Sequence, residues 1–140
     1  MIKNLPERCL VSACLMGLCT RYDGKRKPDE RCIEQLAGQH WIPICPEQLG
    51  GLSTPRTPAD FAGGDGHDVL TGQAAIIDAN GRDVSAEFIR GARQVLAIAR
   101  AQQIEYALLK ARSPSCGLHN PVGVTTALLL ENNIRCSEFG

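Results

Sequence analysis

Short apolar runs alternate along this chain with longer stretches of helical spacing. Runs at residues 8–13, 41–44, 73–78, 106–110 and 134–137 predict strands, and turn residues such as Asn80-Gly81 separate them. Residues 28–37 predict a short helix: Pro28 suits a first turn, Asp29 and Glu30 favour its N-terminal end, and Gly38 can end it. Cys32, Ile33, Leu36 and Ala37 are its expected inner face. A longer helix starts near Asp83 or Ser85, either of which can cap it, and Phe88, Ala92, Val95, Leu96 and Ala99 give it one apolar stripe. A last helix is expected over 123–132, with Val124, Ala127 and Leu128 inward. This alternation is that of an α/β domain, a mainly parallel sheet joined by crossover helices.

Residues 47–66 break the rhythm with Pro55, Pro58 and five glycines. An irregular stretch of this length inside a compact domain is usually functional when ordered. Proline fixes the chain and glycine admits close approach, so the expectation is a rigid loop presenting Arg56 and backbone N–H groups. Gly63-Gly-Asp-Gly66 makes a poor phosphate cradle, because no lysine or helix start follows it as in a P-loop.

The 140 residues suit one domain spanning 1–140. Fifteen basic and fifteen acidic side chains cancel, and aromatics are only 4%, which argues against a nucleic-acid partner or an anionic membrane surface. No apolar run is long enough to span a bilayer, and the first residues lack a signal-peptide core, so cytoplasmic residence is the default expectation. Seven cysteines in such a context read as metal ligands, catalytic groups or small core residues rather than a disulfide scaffold.

Three of those cysteines carry the chemistry. Cys14 and Cys45 end strand runs, and Cys116 closes the turn after the run at 106–110. In a parallel sheet these ends share one edge, which is where open α/β folds bind ligands. Cys14 and Cys19 are too loosely spaced for a zinc knuckle, no second pair recurs, and His40, His67 and His119 are scattered. Three converging thiolates instead resemble a tripod for an iron–sulfur cluster with one iron left open. Glu47 is either a solvated loop carboxylate or a proton-transfer group at that edge. Ser113 and Ser115 stabilise a turn or bond a substrate. Lys110 is a surface charge or an anion contact, and Arg21, Tyr22 and Asp23 form a solvated turn or line the mouth. Cys9, Cys32 and Cys136 read as core residues.

Several longer motifs run through these positions: Ser12-Ala-Cys-Leu-Met-Gly17, Arg21-Tyr-Asp-Gly24, Cys45-Pro-Glu-Gln-Leu-Gly-Gly-Leu52, Thr54-Pro-Arg56 and Ser113-Pro-Ser-Cys-Gly117. Together with Gly63-Gly-Asp-Gly66, Asp83-Val-Ser, Leu109-Lys110 and Gly123-Val-Thr, they span nearly the whole chain. The chain resembles a small bacterial family that includes the thiouracil desulfidases and the YbbK-like proteins. The resemblance implies a Rossmann-like three-layer α/β domain holding a 4Fe-4S cluster through Cys14, Cys45 and Cys116. It further implies net hydrolytic, non-redox removal of sulfur from a thiolated pyrimidine such as 2-thiouracil. Glu47 would assist a water, and Ser113 would orient substrate or relay a proton. The implied partner is a small-molecule thiocarbonyl compound, and the chain is expected as a monomer or small homo-oligomer.

Two positions depart from that family's pattern. Asp60 stands where a glutamate is expected, and only Leu118 to Val122 separate Gly117 from Gly123, where the family usually carries a longer insert. The competing readings are a non-catalytic metal- or sulfur-binding module in sulfur trafficking and a cluster-free thiol redox protein. The absence of a C-x-x-C motif counts against the latter.

Overall fold

The computed structural model describes residues 2–140. In order, the chain forms β1 (Arg8–Ser12), α1 (Glu30–Gln35), β2 (His40–Ile44), α2 (Pro46–Leu49), β3 (Ala59–Ala62) and α3 (Gly66–Leu70). Then come β4 (Ala75–Asp78), α4 (Ser85–Ala101), β5 (Tyr106–Lys110), α5 (Val124–Glu131) and β6 (Arg135–Phe139). The main sheet runs β2-β1-β5-β6 and every neighbouring pair is parallel, with Ser12 beside Ile44 and Val11 beside Leu108.

Its two central strands, β1 and β5, are apolar on both faces because both faces are covered. Cys9, Val11 and Leu108 point to one side and pack with Leu15, Cys32 and Leu36, around α1. Leu10, Ala107 and Leu109 point to the other and pack with Val95, Leu96 and Ala99 of α4 and Leu129 of α5. The result is the expected three-layer arrangement. A smaller core joins Val69, Ile76, Val84, Phe88, Ala92 and Val124 beside it.

The structure corrects several sequence expectations. The strand at 75–78 leaves the main sheet and pairs antiparallel with β3, inside the stretch expected to be irregular. Paired with β3 alone, β4 buries only Ile76 fully, against the smaller core beside the main sheet. The same stretch also holds α2 and the start of α3. Gly63-Gly-Asp-Gly66 leads into α3, where Asp65 is the N-cap in a reciprocal capping box with Asp68. α1 begins after Pro28, with Asp29 accepting from the Cys32 N–H, and only Cys32 of its helical residues is fully buried. Neither Asp83 nor Ser85 is the N-cap of α4, which is Val84; Asp83 accepts from the Ser85 N–H, and the Ser85 hydroxyl accepts from the Ile76 N–H. In α5, Leu129 takes the fully buried place expected of Leu128.

The α4 stripe is as expected, and Gly91 interrupts it where α2 crosses. A methyl group there would overlap the Pro46 carbonyl, so the missing side chain sets how closely the start of α2 rests on α4.

Burial also sets a pH dependence. Desolvation pushes the Cys9 thiol up to about 11, and burial with Asp29 and Cys14 nearby pushes Cys32 up to about 12. An unfolded thiol ionises near about 8.5, so above that pH the folded chain holds more protons than the unfolded one. This stabilisation is complete below about pH 8.5 and is lost as pH rises through 11 to 12. The urea midpoint of the metal-free protein is therefore expected to fall from about pH 8.5 upward. A flat profile there would contradict the burial of these thiols.

Candidate active site at the C-terminal edge of the sheet

β1 ends at Ser12, and a single 3-10 turn at Ala13–Met16 carries Cys14. β2 ends at Ile44; Cys45 is the N-cap of α2, and Pro46 at its first position puts Glu47 in the first turn. β5 ends at Lys110, whose N–H donates to the Ser12 hydroxyl at 2.9 Å and ties two strand ends together. The chain then turns through Ser113-Pro-Ser-Cys116. Ser113 Oγ accepts from the N–H groups of Ser115 at 3.2 Å and Cys116 at 3.0 Å. From below, the N–H groups of Val124 and Thr125 in the first turn of α5 each donate at 2.9 Å, to the Pro114 and Ser115 carbonyls. A Cβ on Gly123 would overlap the Ser115 carbonyl, so α5 seats this turn only with glycine there.

These elements enclose a cleft of about 370 Å³ lined by Cys14, Cys45, Cys116, Glu47, Arg56 and Ser113 among others. Cys14, Cys45 and Cys116, from three separate strand ends, all line this one cleft. Cys14 and Cys45 are half-buried and Cys116 is buried. Burial pushes the Cys14 thiol up, opposed by the Lys110 and Arg21 charges. It also raises Cys45, opposed by the Gln48 N–H and Arg56. Cys116 is pushed up to about 12 by desolvation, opposed by the hydroxyls of Ser12 and Ser115. Lys110 is itself lowered by burial and by the positive charges of Arg112, Lys27 and Arg21. Among the described residues, no three Cys, His, Asp or Glu side chains gather closely enough for one metal ion.

Glu47 is no solvated loop carboxylate. Its Oε1 accepts from Arg56 Nε at 2.8 Å and its Oε2 from the Ser115 hydroxyl at 3.0 Å, with only 16% of its side chain exposed. Ser115 Oγ lies 3.0 Å from Ser113 Oγ, so Ser113 reaches Glu47 through Ser115. Because Ser113 Oγ already accepts two backbone N–H groups, its own proton is free to point to Ser115 or into the cleft. Arg21 and Tyr22 line the mouth, and Asp23 pairs with Arg21 at 3.2 Å.

Cys19 is exposed and does not line the cleft; Cys9 and Cys32 are core residues, and Cys136 is half-buried against the core. His40 lies by Glu7 and His67 by Glu131, both away from the cleft. Leu118 to Val122 form a continuous short loop closed by the Gly123 N–H on the Gly117 carbonyl at 2.7 Å. Asp60 accepts from its neighbour's N–H, that of Phe61. Sequence reasoning noticed Arg56 and Ser115 but not that both hold Glu47, because their partners lie 9 and 68 positions away.

Residues 9–138 match the sequence model of the 2-thiouracil desulfurase family. The uncharacterised protein YbbK of Bacillus subtilis (strain 168) is 40% identical over 90% of this chain and 91% of its own. Among solved structures, the [4Fe-4S]-dependent thiouracil desulfidase TudS superposes with a TM-score of 0.79 at 36% identity, over 95% of this chain and 91% of that one. A match of this length, together with the convergence of the family's motifs on one cleft, means that the chain belongs to the 2-thiouracil desulfurase family.

Proposed function

We propose that this protein is a desulfidase that removes sulfur hydrolytically from a small thiocarbonyl compound of the thiouracil type. It would do so with a 4Fe-4S cluster held by Cys14, Cys45 and Cys116. The observation that carries this reading is one cleft lined by three thiols from distant parts of the chain together with the carboxylate of Glu47. The reading treats residues 1–140 as a single domain acting alone or as a small homo-oligomer, in the reducing cytoplasm.

The donor set fits such a group. Thiolates around one zinc ion sit about 2.3 Å from it, which crowds the sulfurs to within about 4 Å of each other. Here the donors are three cysteine sulfurs from separate strand ends lining one cleft, and thiolates are the ligands that iron–sulfur clusters take. Binding requires the thiolates, and the charges of Lys110, Arg21 and Arg56 offset the negative charge that their ionisation brings. Held by Cys14, Cys45 and Cys116, such a cluster would supply Lewis-acid chemistry toward a thiocarbonyl group.

The chain's own residues supply the rest. Glu47, whose Oε2 accepts from Ser115 at the cleft, would take the proton of a water that attacks the thiocarbonyl carbon. The Ser115 and Ser113 hydroxyls carry that proton back toward the cleft. Oxygen from water replaces sulfur, which leaves as hydrosulfide, and no electron is transferred.

The test is anaerobic reconstitution followed by assay. The expected result is a brown protein with iron and sulfide in equal amounts, releasing hydrosulfide and uracil from 2-thiouracil without an electron donor. An iron-free, colourless product would overturn the cluster. A loaded protein that releases no hydrosulfide would be a sulfur-binding module instead.

A further inference from the structure

We infer that Arg56 is the positioning residue of this site, holding Glu47 and the Cys45 sulfur in one fixed relation; the inference rests on the desulfidase reading of the cleft. A guanidinium carries five N–H donors, and here all five have protein partners. Nε donates to Glu47 Oε1 at 2.8 Å. Nη1 donates to the Ser53 carbonyl at 3.3 Å and to the Thr54 hydroxyl at 2.8 Å. Nη2 donates to the Thr20 carbonyl at 2.8 Å and lies 3.9 Å from Cys45 Sγ.

Two consequences follow from that arrangement. First, with no donor left and a side chain only 8% exposed, Arg56 has nothing to offer a substrate. Its effect must pass through the groups it holds. Second, locking Oε1 leaves Oε2 as the carboxylate oxygen that meets Ser115, so Arg56 selects which oxygen of Glu47 works. The guanidinium is itself held from behind. Gln48 donates to Thr54 Oγ1 at 2.7 Å, and the Arg56 N–H donates to the Tyr22 carbonyl at 2.8 Å. The loop between α2 and β3 thereby ties the mouth of the cleft, through Tyr22 and Thr20, to the Cys45 and Glu47 pair. A lysine keeps the charge but cannot reproduce the fork.

The test combines Arg56→Lys, Arg56→Gln, Glu47→Gln and the Arg56→Lys/Glu47→Gln double variant, each reconstituted anaerobically. Arg56→Lys is expected to load iron and sulfide like the parent and to keep KM within about twofold while kcat falls about 100-fold, the loss typical of a misplaced catalytic group. In the double variant the lysine should lower kcat by less than about threefold beyond Glu47→Gln alone, since its effect acts through the carboxylate. In Arg56→Gln the reduction potential of the bound cluster should fall, because a cationic N–H near a ligating sulfur is gone. Urea midpoints of the metal-free proteins should show Arg56 and Glu47 coupled rather than additive.

Full kcat in Arg56→Lys, a raised KM with unchanged kcat, or losses that multiply in the double variant would each overturn the positioning role. So would additive urea midpoints, or failure of both Arg56 variants to unfold cooperatively, which would make the residue structural. A parent protein without hydrosulfide release, but with Arg56 and Glu47 still coupled in urea, would sink the desulfidase reading and leave the pairing standing.

Discussion

Glu47→Gln is expected to lower kcat for hydrosulfide release by about 10²–10⁴-fold, the range for loss of one general acid–base group. The amide is the sharpest probe because it keeps the shape of the carboxylate. Its oxygen still accepts from Arg56 Nε, and its nitrogen still meets Ser115, yet it takes no proton. Arg56 loses its charged partner but retains its other contacts, including the Thr20 carbonyl and Thr54 hydroxyl. Breaking a buried pair in this way costs about 3 kcal/mol of stability, which a domain of this size can lose while staying folded. The decisive comparison is iron content against turnover. Parent-like iron with kcat reduced at least tenfold supports the assignment, whereas activity within tenfold of the parent would remove Glu47 from the chemistry.

Cys116→Ala is expected to abolish cluster loading and reduce hydrosulfide release to background. A methyl group cannot ligate a metal, and two remaining thiols hold a cluster poorly. The side chain is only 4% exposed and already packs as part of the core, so the smaller alanine leaves the fold in place and thermal unfolding stays cooperative. Cys19→Ala is the matched control. That thiol is exposed and off the cleft, and its removal should leave iron, sulfide and turnover unchanged. Retention of iron by Cys116→Ala, or its loss from Cys19→Ala, would redraw the ligand set.

The local signals read well wherever one periodicity ruled a segment. β1, β2 and β5 were visible as apolar runs, and α4 as a stripe of five residues that all proved buried. The same patterns implied that Cys14, Cys45 and Cys116 share an edge, because parallel strands bring their C-terminal ends together. Segments governed by turn chemistry read poorly. Residues 59–62 are only four positions set between Pro58 and Gly63, too short a run to announce a strand, and β4 reads the same whether it joins the main sheet or pairs with β3. Strand membership depends on which edge is left unpaired, and that is a property of the assembled sheet.

For this protein, the order of apolar and polar residues pointed to an α/β domain with a mainly parallel sheet and allowed three cysteines to share one edge, and the family resemblance added the three layers. Periodicity is a local property, and the sheet's handed connections follow from it. Contacts between distant residues settled the rest. Glu47 could have been a solvated carboxylate until folding brought Arg56 and Ser115 against its two oxygens. Ser113 reaches Glu47 only through Ser115, because the first turn of α5 holds the Ser113–Cys116 turn from below. Such contacts carry no signature in spacing: they join residues on different elements, and their geometry exists only once the layers have packed.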